Sequence, residues 1–251
     1  MSLTSKELKR RARTVLDGKY FLGASLSAIL MLAAFAMSFL LQHTGFGESS
    51  EPLYQIFFWF LWGIMLILGA LLEIGLIRFL YSLSRRQPPT QPGLMLYAFQ
   101  NQPDTFILTS GFRYLITLSW FIPALWSYRQ LPLHTMELTD LPLALLPILG
   151  LALVGVLPAI GMALPFCLTN YILLDEPNLS AAEALLSSRK LMHGHKKRIL
   201  LLWISFLPLC LLGVGSYGIG FLWIRPYYHT TMNQFYLELT GQVPDTETVT
   251  P

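Results

Sequence analysis

The sequence predicts an all-α fold, a polytopic transmembrane helical bundle of about six spans with two amphipathic helices on the cytoplasmic side. Three observations predict it. Long apolar runs dominate the 251 residues, and the stretches 20–41 and 141–174 contain no Asp, Glu, Lys or Arg, whereas about 20 mostly apolar residues suffice to cross a bilayer. Composition is 54% hydrophobic and 12% charged, against roughly 25% charged residues in a soluble domain. The net charge is only +3, but Lys and Arg cluster before residue 20, at Arg85 and Arg86, and over 189–198, and such clusters orient spans.

Too little sequence lies outside the apolar runs for a separate soluble core, so one membrane domain is expected over 1–239, with a disordered tail at 240–251. Residues 4–17 read as a basic amphipathic helix. Thr4 and Glu7 have the spacing of a capping box, Gly18 is its stop, and Leu8, Ala12, Val15 and Leu16 form its apolar stripe. The first span is expected at 20–41. No small-residue cleavage pattern follows it, so it is expected to persist as a helix rather than be removed as a signal peptide. The second span, 53–80, is interrupted by Glu73 and Arg78. A Pro- and Gln-rich connection follows, with a short interfacial helix expected over 93–100. The third span is 106–128.

The fourth apolar run, 141–174, is too long for one straight crossing of a hydrocarbon core about 30 Å thick. It must tilt, kink or emerge, so the span is set at 141–168 and residues 170–174 are expected at the headgroups. Pro142, Pro147, Pro158 and Pro165 supply breaks. A second amphipathic helix follows at 180–193, with Ser180 and Glu183 as a capping box, Gly194 as stop, and Ala181, Ala184, Leu185, Ser188, Leu191 and Met192 as its apolar and small face. The last run is about twice the length of a span, and glycines 213, 215, 218 and 220 mark a turn, giving a hairpin of spans 198–216 and 218–238. The basic clusters then share one side, which puts both termini in the cytoplasm.

Several segments together resemble the domain of unknown function 975 family of bacterial integral membrane proteins. They are Tyr171 to Pro177 (YILLDEP), Glu183 with Ala184, Ser188 with Arg189, Leu191-Met192 with Gly194 and Lys196, the run Gly218 to Trp223, and Pro226 with Tyr227. Glu7, Leu8, Lys9, Leu16 and Gly18 are similar to that family's opening, and one departure is extra sequence over 130–149. The resemblance implies a multi-span protein of the bacterial inner membrane, and it implies no reaction.

Other motifs carry less. Gly213, Gly215 and Gly218 match the spacing of a dinucleotide fingerprint, but that motif needs a strand before it and a soluble helix after it, and these glycines lie between membrane-length apolar runs. His193 and His195 are two ligands without a third, so solvated or headgroup-contacting histidines are the better reading and no metal is expected. Asp175 and Glu176 precede Pro177 and are read as shaping a junction. Cys167 and Cys210 lie in apolar runs, where a thiol acts as a small hydrophobe.

Candidate functional residues fall into two sets. Within the apolar runs are Glu73, Arg113 and Arg225, which cost about 2.5 to 3.5 kcal/mol each at mid-membrane and must face protein or water. His229, Asn233 and Tyr236 follow Arg225 at helical spacing and continue a polar stripe. Glu73 is the expected partner of Arg225. The second set, Lys9, Arg10, Arg13, Lys196, Lys197 and Arg198, suits anionic headgroups of the inner leaflet.

The function expected from these sets is non-enzymatic contact with lipid through the two basic helices, or with a membrane protein partner or a second copy of the chain. No catalytic residue, cofactor or nucleic-acid partner is expected. A small-solute or lipid transporter is the alternative, left open by the polar stripe and the kinked fourth run although no inverted repeat is evident. An intramembrane enzyme comes last, because no nucleophile, base or metal constellation is present.

Overall fold

A computed structural model describes residues 3–43, 51–86, 94–131 and 139–242, and every regular element among them is helical. The expected tail lies almost wholly outside the described residues, and 132–138 of the expected extra segment do as well.

Helix α1 (Ser5–Leu16) starts where Thr4 Oγ1 accepts the Glu7 N–H at 3.3 Å. The Glu7 carboxylate accepts from Arg10 and Arg11 instead of returning to Thr4, so half of the expected box forms. Gly18 ends the segment at φ +68°, a left-handed conformation that glycine adopts without strain. Then come α2 (Tyr20–His43), α3 (Pro52–Ser84), a 3₁₀ turn (Leu94–Leu96) with α4 (Tyr97–Gln100), and α5 (Pro103–Leu118), which passes through a 3₁₀ turn into α6 (Ile122–Arg129). Helix α7 (Leu141–Ala163) runs through Pro147 and Pro158 and breaks at Leu164–Phe166, around Pro165, before α8 (Thr169–Asp175). Helices α9 (Ala181–Leu191), α10 (Lys196–Ile204), α11 (Leu207–Gly215) and α12 (Phe221–Leu239) complete the chain.

Among the described residues five stretches are long and apolar enough to cross a membrane: Tyr20–His43, Pro52–Ser84, Pro103–Arg129, Leu141–Asp175 and Lys196–Gly215. Helix α12 is not among them, yet it lies at the centre. Helices α1 and α2 run antiparallel along it. Leu3 N–H donates to Glu238 at 2.8 Å, Arg13 Nε donates to Tyr227 at 3.2 Å, Gly23 faces Pro226 and Met31 reaches Gly218. A Cβ on Gly23 would sit 3.0 Å from Pro226 Cβ, so a side chain there would push the helices apart. Helix α3 runs parallel to α12, with Glu73 beside His229 and Tyr81 beside Tyr236.

The glycine-marked turn forms a hairpin of α11 against α12. A Cβ on Gly220 would lie 2.9 Å from Gly213 Cα, so only glycine permits this approach. Ser216 Oγ closes the turn, donating to Gly213 O and accepting the Gly220 N–H, both at 2.8 Å. Toward the other end Arg198 pairs with Glu238 at 2.8 Å and also donates to Leu3 O, so the two described chain ends meet at one end of the bundle.

Both amphipathic helices use their apolar faces on protein. Leu8, Ala12 and Leu16 of α1 are buried, chiefly against α12. Helix α9 has the complete expected box, with Ser180 and Glu183 each accepting from the other's backbone N–H, and Gly194 follows at φ +85°. Its buried Ala184 and Ser188 dock on α5, α8 and the turn before α8, where Ser188 Oγ donates to Pro165 O at 2.8 Å. Helix α8, expected at the headgroups, has Tyr171 through Leu174 buried within the protein.

Candidate functional site

The candidate residues of the apolar runs meet where α3, α5, α8 and α12 converge. Glu73 Oε1 on α3 lies 3.2 Å from His229 Nε2 and 3.7 Å from Arg225 Nε, both on α12, so the expected Glu73 and Arg225 partners are adjacent. One helical turn separates Arg225 from His229, which lets a single carboxylate take both. His229 Nδ1 lies 3.2 Å from the Tyr171 hydroxyl on α8. With a neutral imidazole, Tyr171 donates to Nδ1 and Nε2–H donates to Glu73; with an imidazolium, both ring N–H groups donate and Tyr171 accepts. The hydroxyl serves either state because it is both donor and acceptor.

Two cavities flank this network. The first, about 220 Å³, runs between α2 and α3 from Glu73 and Arg225 past Ala34 and Gly69 to Leu41 and Trp62, away from the end of the bundle where the chain ends meet. The second, about 160 Å³, is lined by Arg113, Asn170, Cys167, Trp203, Tyr228 and His229 among others. Glu73 and Tyr114 line both. The third of the Glu73 side chain that is accessible therefore faces cavities inside the bundle.

The rest of the polar stripe lies elsewhere. Tyr236 donates to Asp175 Oδ2 at 3.0 Å, and Asp175 also pairs with Arg85 at 2.7 Å and accepts from Gln242. Asn233 is fully buried between the two clusters, and neither of its side-chain polar atoms has a partner among the described residues. The stripe thus divides into Arg225 with His229 at the cavities and Tyr236 at a separate ion-pair cluster.

Of the candidate headgroup contacts, Lys9 donates to Ser205 O at 2.7 Å and lies 4.1 Å from the Phe206 ring centroid, and burial there lowers its pKa. Arg10 pairs with Glu7, Arg13 donates to Tyr227, and Arg198 pairs with Glu238. Lys196 and Lys197 are exposed. The hydrogen bond from Arg10 holds the Glu7 carboxyl below the ordinary carboxylate range. Of the glycines that imitate a dinucleotide fingerprint, Gly213 and Gly215 lie in the last turn of α11 and Gly218 in the connection to α12, so no strand precedes them.

The family model described as "Protein of unknown function (DUF975)" matches residues 1–243, which include every described helix and the whole polar network. The chain belongs to this family. No curated protein and no solved structure matches it. With its five long apolar helices, this DUF975 chain is a membrane protein.

Sequence reasoning missed Tyr171, Asp175, Arg85 and Tyr114. Tyr171 and Asp175 are four residues apart, so they share one face of α8 as Arg225 and His229 share one of α12. That spacing was visible inside the YILLDEP segment, but no local pattern shows that α8 is enclosed by the bundle. Tyr114 is next to Arg113, and only the meeting of two cavities singles it out.

Proposed function

We propose that this DUF975 protein is a transporter that carries a small polar solute across the bacterial inner membrane, with both termini in the cytoplasm and without covalent chemistry on the solute. The observation that carries this reading is the pair of cavities that meet at Glu73 and Tyr114. A charged group inside a bundle is costly unless it serves a partner or a pathway, and Glu73 divides two spaces while holding residues of α12. The helix that carries Arg225 and His229 packs against α2 through the close approach of Gly23 to Pro226, so a small shift between these two helices would change which cavity reaches Glu73.

Lipid contact through the basic helices is the second reading, supported by the exposed Lys196 and Lys197. It has less support than solute passage, because the apolar faces of α1 and α9 are covered by protein.

Side-specific thiol labelling tests solute passage. In sealed vesicles of known orientation, native Cys167 in a Cys210→Ala chain reports the second cavity, and Ala34→Cys in a Cys167→Ala, Cys210→Ala chain reports the first. A small impermeant reagent is expected to reach the two from opposite faces. Labelling of both from one face, or of neither, would refute a path through the bundle.

A further inference from the structure

The polar site has more positive than negative charge. Among the described residues Glu73 is the only carboxylate lining either cavity, while Arg225 lines the first and Arg113 the second. Glu73 lies beside Arg225 and His229, whereas the Arg113 side chain makes no hydrogen bond or ion pair among the described residues. With His229 neutral the site carries one net positive charge, and with it protonated two. A guanidinium cannot shed its proton to relieve this excess, and a low-dielectric interior does not screen it. Trp203 lines the same cavity as Arg113. Its Nε1–H is buried and among the described residues reaches no acceptor at hydrogen-bond geometry, although Tyr228 is its neighbour. Asn170 Oδ1, in the same wall, is buried and lacks a donor among the described residues.

We infer that the second cavity binds a small monoanion with carboxylate or phosphate oxygens, gripped by Arg113, with Arg225 adding its charge from the neighbouring cavity; this rests on the solute-path reading. The planar guanidinium fork matches two oxygens of such a group, and the anion cancels the site's excess charge. Trp203 supplies a further donor to the ligand's oxygens. Asn170 selects a ligand that also carries a hydroxyl, as dihydrogen phosphate or a hydroxy acid does. Cavities of about 220 and 160 Å³ admit only a few non-hydrogen atoms of a free solute, or the headgroup phosphate of a lipid. Glu73 opposes the anion, so it sets an upper limit on affinity and lets the ligand leave.

The test is thermal unfolding of the full chain in uncharged detergent at constant ionic strength, titrated separately with lactate, inorganic phosphate and micellar phosphatidate. Saturable stabilisation by lactate or phosphate is expected. Arg113→Gln should raise the half-saturating concentration by about tenfold or more, and Glu73→Gln should leave it equal or lower it. Stabilisation by phosphatidate alone, still dependent on Arg113, makes a lipid headgroup the source of the anion and overturns the free solute. No saturable shift with any of the three, or a shift indifferent to Arg113→Gln, overturns the anion site itself. Arg113 forms no ion pair, so its variant decides even if Arg225→Gln fails to fold. Failure of the path is separately visible: anion binding with thiol labelling from one face only leaves a binding site without a route.

Discussion

Along α7, Leu143, Leu146, Leu149, Leu153, Val154 and Leu157 are all more than half exposed, and Gly155 and Ala159 are its only buried residues. Along α12, everything from His229 to Leu237 is buried, including His229, Thr230, Thr231, Asn233 and Gln234. In water the apolar helix would be inside and the polar one outside. In lipid an exposed leucine loses nothing, while an exposed histidine or asparagine lacks a partner. Position in this bundle therefore follows the need for polar partners, and the helix that fails a hydropathy criterion for spanning is the one most enclosed.

The largest expected effect follows from that contrast. Phe235→Ala, in the closed interior, should cost about 3 to 5 kcal/mol, whereas Leu153→Ala on the outside of α7 should stay within about 0.5 kcal/mol. Reversible unfolding in mixed micelles measures both, and equal costs would erase the distinction between the two helices.

Glycine substitutions sharpen the comparison by reversing sign. Gly220→Ala forces a Cβ against Gly213 of α11 and should destabilise by about 1 to 3 kcal/mol. Gly161→Ala in α7 meets nothing within 4 Å and should gain up to about 1 kcal/mol from helix propensity. The same unfolding assay reads both, and a loss at Gly161 would show that α7 has a neighbour.

The smallest effect comes from α9, whose capping box is exposed and should obey the rules of soluble proteins. Ser180→Ala should cost about 1 kcal/mol at neutral pH. Hydrogen bonds from the Ser180 side chain and backbone hold the Glu183 carboxyl below its ordinary range. A depressed folded-state pKa contributes stability above the ordinary value and loses it as pH falls through the lowered one. The penalty of Ser180→Ala should therefore shrink between pH 6 and pH 3, and a penalty constant over that window would show that the carboxylate does not take part.

The caps of α1 and α9, the glycine turn and the face shared by Arg225 and His229 were legible because each rests on residues within a turn or two of one another. The neighbouring positions of Glu73 and Arg225 could be guessed because Glu73 is the only carboxylate well inside an apolar run. What covers Leu8, Ala12 and Leu16 was not legible, since an apolar stripe is the same whether lipid or α12 fills it. Nor was Asp175, whose partners Arg85, Tyr236 and Gln242 come from distant parts of the chain.

The hairpin tip has a consequence for the shape of the molecule. Gly218 rests against Met31, midway between Tyr20 and His43, so α11 and α12 accompany only one half of α2's length. If α2 crosses the bilayer, the bundle has a larger cross-section in the leaflet nearer its chain ends than in the other. A body of unequal cross-section is a wedge, and a wedge is accommodated more easily where the membrane is already curved. Reconstituted into a mixture of vesicle diameters, the protein is expected to concentrate in the smaller ones, measured by single-vesicle fluorescence; an even distribution would mean that lipid fills the space beyond the tip without strain.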